Sequence, residues 1–225
     1  MKDMISGVKL TDRDLLVLKT IWRFRFCLGR QIRLLCGFSG RRGCDERLRK
    51  LIESGYLSRK KYIYGVPSLY MITRKIESVI PLHYYEHKIR LEQILHDISV
   101  IDTVIYFMKM QGISLGDVVT AKELHGKDGF SNRKHQADFV IKKGKEEIAV
   151  EIELSRKSKE RLMKNVRNNF MRYGSQIWII PDDVKIIANM KEAQLKYPDI
   201  EIIDYETVDS FVKSESWGTE DKTET

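Results

Sequence analysis

Asp138, Glu151 and Glu153 are the side chains whose types and spacing point most directly to chemistry. They sit in the stretch from Gln136 to Leu154, where polar and apolar residues alternate on both sides of Gly144-Lys145. Glycine at the first central position suits a two-residue type II′ turn. That turn pairs Lys143 with Glu146 and, in the same register, sets Asp138 opposite Glu151. Period-2 alternation then sends Phe139, Ile141, Ile148, Val150, Ile152 and Leu154 to one face and the three carboxylates to the other. Like charges facing each other across a sheet are destabilising, so the cluster asks for a cation, and hard oxygen ligands fit a divalent metal such as Mg2+. A solvated hairpin face, screened by Lys142, Lys143 and Lys145, fits the same pattern.

The elements around this hairpin read as a mixed α/β (α+β) chain. Beyond Leu154 comes a basic helix, roughly Lys157 to Tyr173, then a strand over Gln176–Ile180. A helix from about Asp183 to Tyr197, a strand over Ile200–Ile203 and a short last helix to Val212 follow. Residues 118–154 supply strands, and residues 82–112 read as one longer helix that ends at Gly112 and joins or opens a domain. Upstream, Thr11 is an N-cap followed by acids at Asp12 and Asp14, and Leu15, Leu18, Ile21 and Trp22 repeat at helical spacing, extended by Leu16 and Phe26. A short helix fits Gly29 to Cys36. A third fits roughly Gly43 to Ser54, closed by Gly55. A strand-like run from Tyr56 to Tyr64 then turns at Gly65-Val-Pro67 and returns through Leu69–Ile72. Three helices and a basic hairpin predict a winged helix-turn-helix over residues 1–80. Residues 81–213 form a linker helix and a second domain, and residues 214–225 a polar, disordered tail.

Charge divides the chain in the same way. Residues 1–80 hold 18 Lys/Arg against 7 Asp/Glu, a net of +11, and the remaining residues hold 22 against 25, a net of −3. A basic first half predicts a polyanionic partner, double-stranded DNA. The third helix carries Arg41, Arg42, Arg47, Arg49 and Lys50, and the hairpin carries Arg59, Lys60 and Lys61 beside Tyr62 and Tyr64. In a helix-turn-helix the second helix of the unit enters the major groove while flanking basic groups hold phosphates. A winged helix used for protein interaction, with a solvated basic face, is the bland alternative.

At 225 residues, with 42% hydrophobic and 32% charged residues, the composition is that of a globular protein. No apolar run approaches the roughly 20 residues that span a bilayer, and the first residues lack a signal-peptide core. Cys27, Cys36 and Cys44 form no C-x-x-C pair, which predicts reduced packing cysteines and a cytoplasmic location. No Gly-rich loop ending in Gly-Lys-Ser/Thr is present, against an ATP-driven motor.

The segments Thr11–Leu18, Arg30–Leu35, Arg47–Leu57 and Tyr70–Thr73 together resemble the replication-relaxation family of plasmids and conjugative elements. The similarity continues through the helix bearing His96, Lys122-Glu123, Ala137-Asp138, Val150–Ser158 and the basic helix after it. It covers most of residues 10–180. The resemblance implies a second domain of the PD-(D/E)xK nuclease type and a role in plasmid replication or in processing DNA for transfer. In such a core an early Glu, an Asp, and a Glu two residues before a Lys gather Mg2+, which polarises the scissile phosphate and activates a water. Carried over, Asp138 and Glu151 are metal ligands, Glu123 is the early acid, and the Lys position is Glu153. Ala137 also departs from the motif's Pro. Lys157, about one helical turn beyond the strand, is the residue placed to stand in for the missing Lys.

These features lead to an accessory DNA-binding protein of a mobile element, acting at an origin of transfer or replication beside a relaxase or replication proteins. A homodimer is compatible with that role. The rival readings are an Mg2+-dependent endonuclease using Asp138, Glu151, Glu153 and Lys157, and a winged-helix repressor. The helix with Arg156, Lys157, Lys159, Arg161, Lys164, Arg167 and Arg172 fits phosphate contact or a solvated face. His83-Tyr-Tyr-Glu-His87 offers histidines at i and i+4 but no third ligand, and reads as an ordinary polar helix face.

Overall fold

The computed structural model describes residues 8–84, 88–128 and 135–217. They divide into two compact units, one made of the described residues up to 101 with 214–217, the other of those between 102 and 213. The sequence places its boundary after residue 80, whereas this division falls at 101/102. Among the described residues no helix is long and apolar enough to cross a membrane.

In the first unit α1 (Asp12–Phe24) starts at a capping box, in which Thr11 Oγ1 accepts from the Asp14 N–H at 3.3 Å and Asp14 Oδ2 accepts from the Thr11 N–H at 2.6 Å. Arg25, with φ at 71°, ends the helix in the left-handed region, and its guanidinium donates to Asp97 at 2.9 Å. A two-residue strand β1 (Cys27–Leu28) follows, one that the sequence pattern does not predict. Next come α2 (Gly29–Leu35), α3 (Arg41–Glu53), β2 (Leu57–Lys60) and β3 (Leu69–Ile72). The strands form an antiparallel sheet in the order β1-β3-β2. Phe26, Leu28, Leu69, Ile94 and Ile98 make a buried cluster against which Tyr62, Ile63, Val66 and Met71 pack. Gln31 is fully buried and fastens the unit, accepting from the Leu28 N–H at 2.9 Å and donating to the Ile98 carbonyl at 3.0 Å.

The long helix α4 runs from Leu91 to Met110, not from residue 82; a 3-10 turn occupies Arg74–Ser78 and residues 79–84 are irregular. The second unit adds β4 (Val118–Thr120), α5 (Ala121–Asp128), β5 (Phe139–Lys143), β6 (Glu146–Ile152), α6 (Lys159–Tyr173), β7 (Gln176–Ile180), α7 (Val184–Lys196), β8 (Ile200–Asp204) and α8 (Tyr205–Trp217). The sheet order is β4-β5-β6-β7-β8, antiparallel through β6 and parallel from β6 to β8. One core cluster lies among α6, α7 and the parallel strands around Trp178; another joins Val119, Leu124, Ala137, Val140 and Ala149.

Two expectations give way. Residues 214–217 continue α8 instead of opening a disordered tail, and Arg33, itself buried, donates to the carbonyls of Glu215 and Ser216 at 3.0 and 2.9 Å. A guanidinium on the last carbonyls of a helix satisfies acceptors that have no partner in their own helix and complements the helix dipole. Residues 218–225 lie outside the described residues. The hairpin does not have one solvated face: from Ala149 to Glu153 every residue of β6 and its extension is buried. β6 is a central strand, flanked by β5 and β7, with helices over the sheet, and such strands are covered on both faces.

Candidate functional site

The hairpin register is the expected one. Lys143 pairs with Glu146 and Phe139 with Val150, where the strand pairing ends, and Asp138, just before β5, is close enough for its charge to act on Glu151. Gly144 has φ at 64° and Lys145 does not share a positive φ, as a type II′ turn requires. Lys142 and Glu147 face each other and form an ion pair at 3.0 Å, so one of the expected screening lysines is spent at the exposed end of the hairpin.

The carboxylates at the other end are buried. Glu151 is 5% exposed and Glu153 is 2% exposed, which removes the solvated-face reading. Glu151 Oε1 receives two groups, the Asn169 amide at 2.9 Å and His135 Nε2 at 2.6 Å. Burial pushes the Glu151 carboxyl above the ordinary range; the bond to His135 opposes this and the nearby Asp138 charge reinforces it. Asp138 Oδ2 accepts from the Ile152 N–H at 2.8 Å, a bond that fixes the aspartate at the base of the hairpin. Glu153 forms an ion pair with Lys157, and Ser155 Oγ donates to its other oxygen at 3.5 Å. Lys157 does reach back from beyond the strand, and its partner is the residue standing at the motif's Lys position.

Glu123 has a different task. Its Oε2 accepts from the Thr120 N–H at 2.8 Å and the Thr120 hydroxyl at 2.9 Å, and Thr120 Oγ1 accepts from the Glu123 N–H at 3.4 Å. This reciprocal cap starts α5. Among the described residues no group of three or more His, Cys, Asp and Glu is placed to hold a metal ion. Asp138 and Glu151 are the pair whose chemistry fits one: two oxygen donors, mutually repelling, one of them buried beyond what its hydrogen bonds offset. Mg2+ is commonly held by one or two carboxylates with water and substrate phosphate completing its shell.

Sequence reasoning misses His135 and Asn169. The signal for Asn169 is its place on the inward stripe of α6 with Leu162, Asn165 and Val166, all buried, where a polar residue needs a buried partner. His135 shows only as a titratable group three residues before Asp138. The basic residues on and just before α6 divide into two groups. Arg156 pairs with Asp183 at 2.8 Å, Lys159 with Glu192 at 2.6 Å, and Arg172 donates to Gln136 at 2.8 Å, while Arg161, Lys164 and Arg167 are exposed three residues apart.

In the first unit Arg41, Arg42, Arg49, Arg59, Lys60 and Lys61 are exposed and Lys50 is half-buried. Three of the α3 cations have acidic neighbours one turn away: Arg41 with Asp45 at 3.6 Å, Lys50 with Glu46 at 2.9 Å, and Arg49 with Glu53 at 2.7 Å. Such exposed pairs are weak, because water and salt screen them. Arg47 has a partner on α1. Its Nε donates to Asp14 Oδ1 at 2.6 Å, its Nη2 to Asp14 Oδ2 and, at 3.0 Å, to the Lys9 carbonyl. Asp14 is fully buried, so Arg47 ties α3 to α1.

Cys27, Cys36 and Cys44 are buried and in no disulfide; burial pushes Cys36 up to about 11 and Cys44 up to about 12. Of the His83–His87 segment, Tyr85, Glu86 and His87 lie outside the described residues. Compared with family models, curated proteins and solved structures, the chain matches none.

Proposed function

We propose that this chain is a double-stranded-DNA-binding protein whose first unit is a winged helix-turn-helix. The observation that carries the reading is the set of exposed cations in that unit, Arg41, Arg42 and Arg49 on α3 and Arg59, Lys60 and Lys61 on the β2–β3 hairpin. The element order supports it: α2 and α3 are joined by five residues, 36–40, with Gly37 at φ 65°, and a basic hairpin follows. In this reading α3 lies in the major groove, where arginine suits bidentate contact with guanine, and the hairpin cations hold phosphates. The resemblance to the replication-relaxation family then suggests an accessory role at an origin of transfer or replication of a mobile element, beside a relaxase or replication proteins. Selecting duplexes from a random pool tests sequence-specific binding. A consensus that Arg42→Ala degrades supports it; recovery of unrelated sequences refutes it.

The second unit supports a nuclease-like reading through one feature, the Asp138–Glu151 pair at the base of the hairpin. Asp138 and Glu151 would hold Mg2+, which when bound supplies Lewis-acid polarisation of a phosphate and an activated water. The chain's own groups hold Glu151 in place through Asn169 and His135, and Lys157 neutralises Glu153. Because Glu123 serves as a cap and Glu153 is ion-paired, the accessory role leads and the Mg2+-dependent endonuclease is the second reading. Metal-dependent nicking of supercoiled DNA that disappears in Asp138→Ala and in Glu151→Ala reverses that order.

A further inference from the structure

We propose that the loop joining β2 and β3 is a stacking platform for an unpaired DNA base, with Tyr64 as the platform and Lys60 and Lys61 holding the adjoining phosphates. This rests on the DNA-binding reading and makes it more specific: the target is a duplex opened, or readily opened, next to the site that α3 occupies.

Tyr64 is 96% exposed, yet the loop that bears it is anchored. Ile63 and Val66, on either side of the Tyr64-Gly65 corner, pack against the cluster of Phe26, Leu28, Leu69, Ile94 and Ile98. Gly65, at φ 77°, takes the left-handed position of the turn, and Pro67 limits the backbone two residues later. With both neighbours turned into the core, the corner holds the phenol ring outward in solvent. An aromatic ring presented on a fixed support costs little conformational entropy when something stacks on it.

Charge around the ring specifies what that something is. The Lys61 ammonium lies 5.4 Å from the Tyr64 ring centroid, and Lys60 lies 5.1 Å from that of Tyr62. Tyr62 is itself fastened, its hydroxyl donating to Met71 Sδ at 3.7 Å. Cations set beside aromatic rings are the composition of surfaces that bind single-stranded nucleic acid, where rings stack on bases and cations follow the backbone. A closed duplex presents phosphates to the lysines but no base face to Tyr64. An opened strand presents both.

The test uses the full chain, a closed duplex of its selected sequence, and the same duplex with a short internal bubble carrying 2-aminopurine, read by anisotropy and by 2-aminopurine fluorescence. Wild type is expected to bind the bubbled DNA at least tenfold more tightly and to quench the probe. Tyr64→Ala should weaken binding to the bubbled DNA roughly tenfold to a hundredfold, the range for losing one base–aromatic stack, and should leave the probe unquenched. Its affinity for the closed duplex should stay within about twofold, because the lysines remain. Tyr64→Phe should behave as wild type. Equal wild-type affinity for the two DNAs, or a preference that survives Tyr64→Ala, overturns the stacking platform while leaving duplex binding standing. Failure to bind either DNA overturns both.

Discussion

Replacing Arg47 with alanine separates two roles that the sequence alone assigns to one residue. The Arg47 guanidinium holds Asp14 through both carboxylate oxygens. After Arg47→Ala the buried carboxylate keeps the Thr11 amide and hydroxyl, at 2.6 and 2.7 Å. Breaking a buried ion pair from one side costs about 3–5 kcal/mol. The lower end applies here, because the Arg47 side chain is 23% exposed and water can reach the vacated position. About 3 kcal/mol lowers the midpoint of a chain this size by roughly 6–12 °C. The pH dependence has a definite sign. Burial raises the Asp14 pKa, but the bonds from Arg47 and Thr11 outweigh it and leave it below its ordinary value. A depressed folded-state pKa contributes stability that is present above the unfolded value, near 4, and lost as pH falls through the folded one. Arg47→Ala should therefore destabilise most above pH 4, with wild type and variant converging in acid, while Asp14→Asn combined with Arg47→Met should recover most of the loss. Thermal melts across pH 3–7 read this directly. An unchanged melting temperature together with weakened DNA binding would refute the tie and leave Arg47 in the DNA-reading set alone.

Two further substitutions probe the second unit. In EDTA, Glu151→Gln should raise the melting temperature at pH 8, because glutamine keeps an acceptor for Asn169 and His135 without a buried charge. The raised folded-state pKa of Glu151 means that wild-type stability is fullest below the ordinary carboxylate value and falls as pH climbs through the folded one, at about 1.4 kcal/mol per unit of displacement. A Glu151→Gln protein that melts lower than wild type at pH 8 would contradict this. Lys157→Ala should cost about 3 kcal/mol in denaturant unfolding by leaving Glu153 buried and unpaired, and Glu153→Leu with Lys157→Met should restore it; a neutral Lys157→Ala would show that the pair carries no stability.

Local signals in the sequence translate well into structure. Thr11 caps α1, Gly144 sets the hairpin register, and the strand expected over Gln176–Ile180 is found with those bounds, because each depends on residues within a few positions. The errors arise where distant partners decide. Alternation of Glu151 and Glu153 with Val150 and Ile152 looks like a half-exposed strand, and only the parallel pairing with β7 and the covering helices turn both faces inward. Arg47 looks like a groove-facing cation, and its bond to Asp14, far back in the chain, does not show in the local pattern. Glu123 stands as a metal ligand only on the family resemblance, and its hydrogen bonds to Thr120, the cap of the eight-residue α5, are a pairing the resemblance does not anticipate. The pattern starts α4 too early because Ile89 continues the apolar spacing of Leu91 and Ile94, although it packs from an irregular segment.

The salt dependence of duplex binding tests the central claim most directly. Anisotropy of a labelled duplex, titrated across a range of salt, should give a linear fall of log affinity with log salt. Replacing Arg59, Lys60 and Lys61 with alanine should reduce the slope by about 0.9 for each phosphate that is no longer neutralised, roughly 2.7 in all. A chain that fails to bind duplex DNA at low salt, or a triple variant with the wild-type slope, would contradict the assignment of this face to DNA.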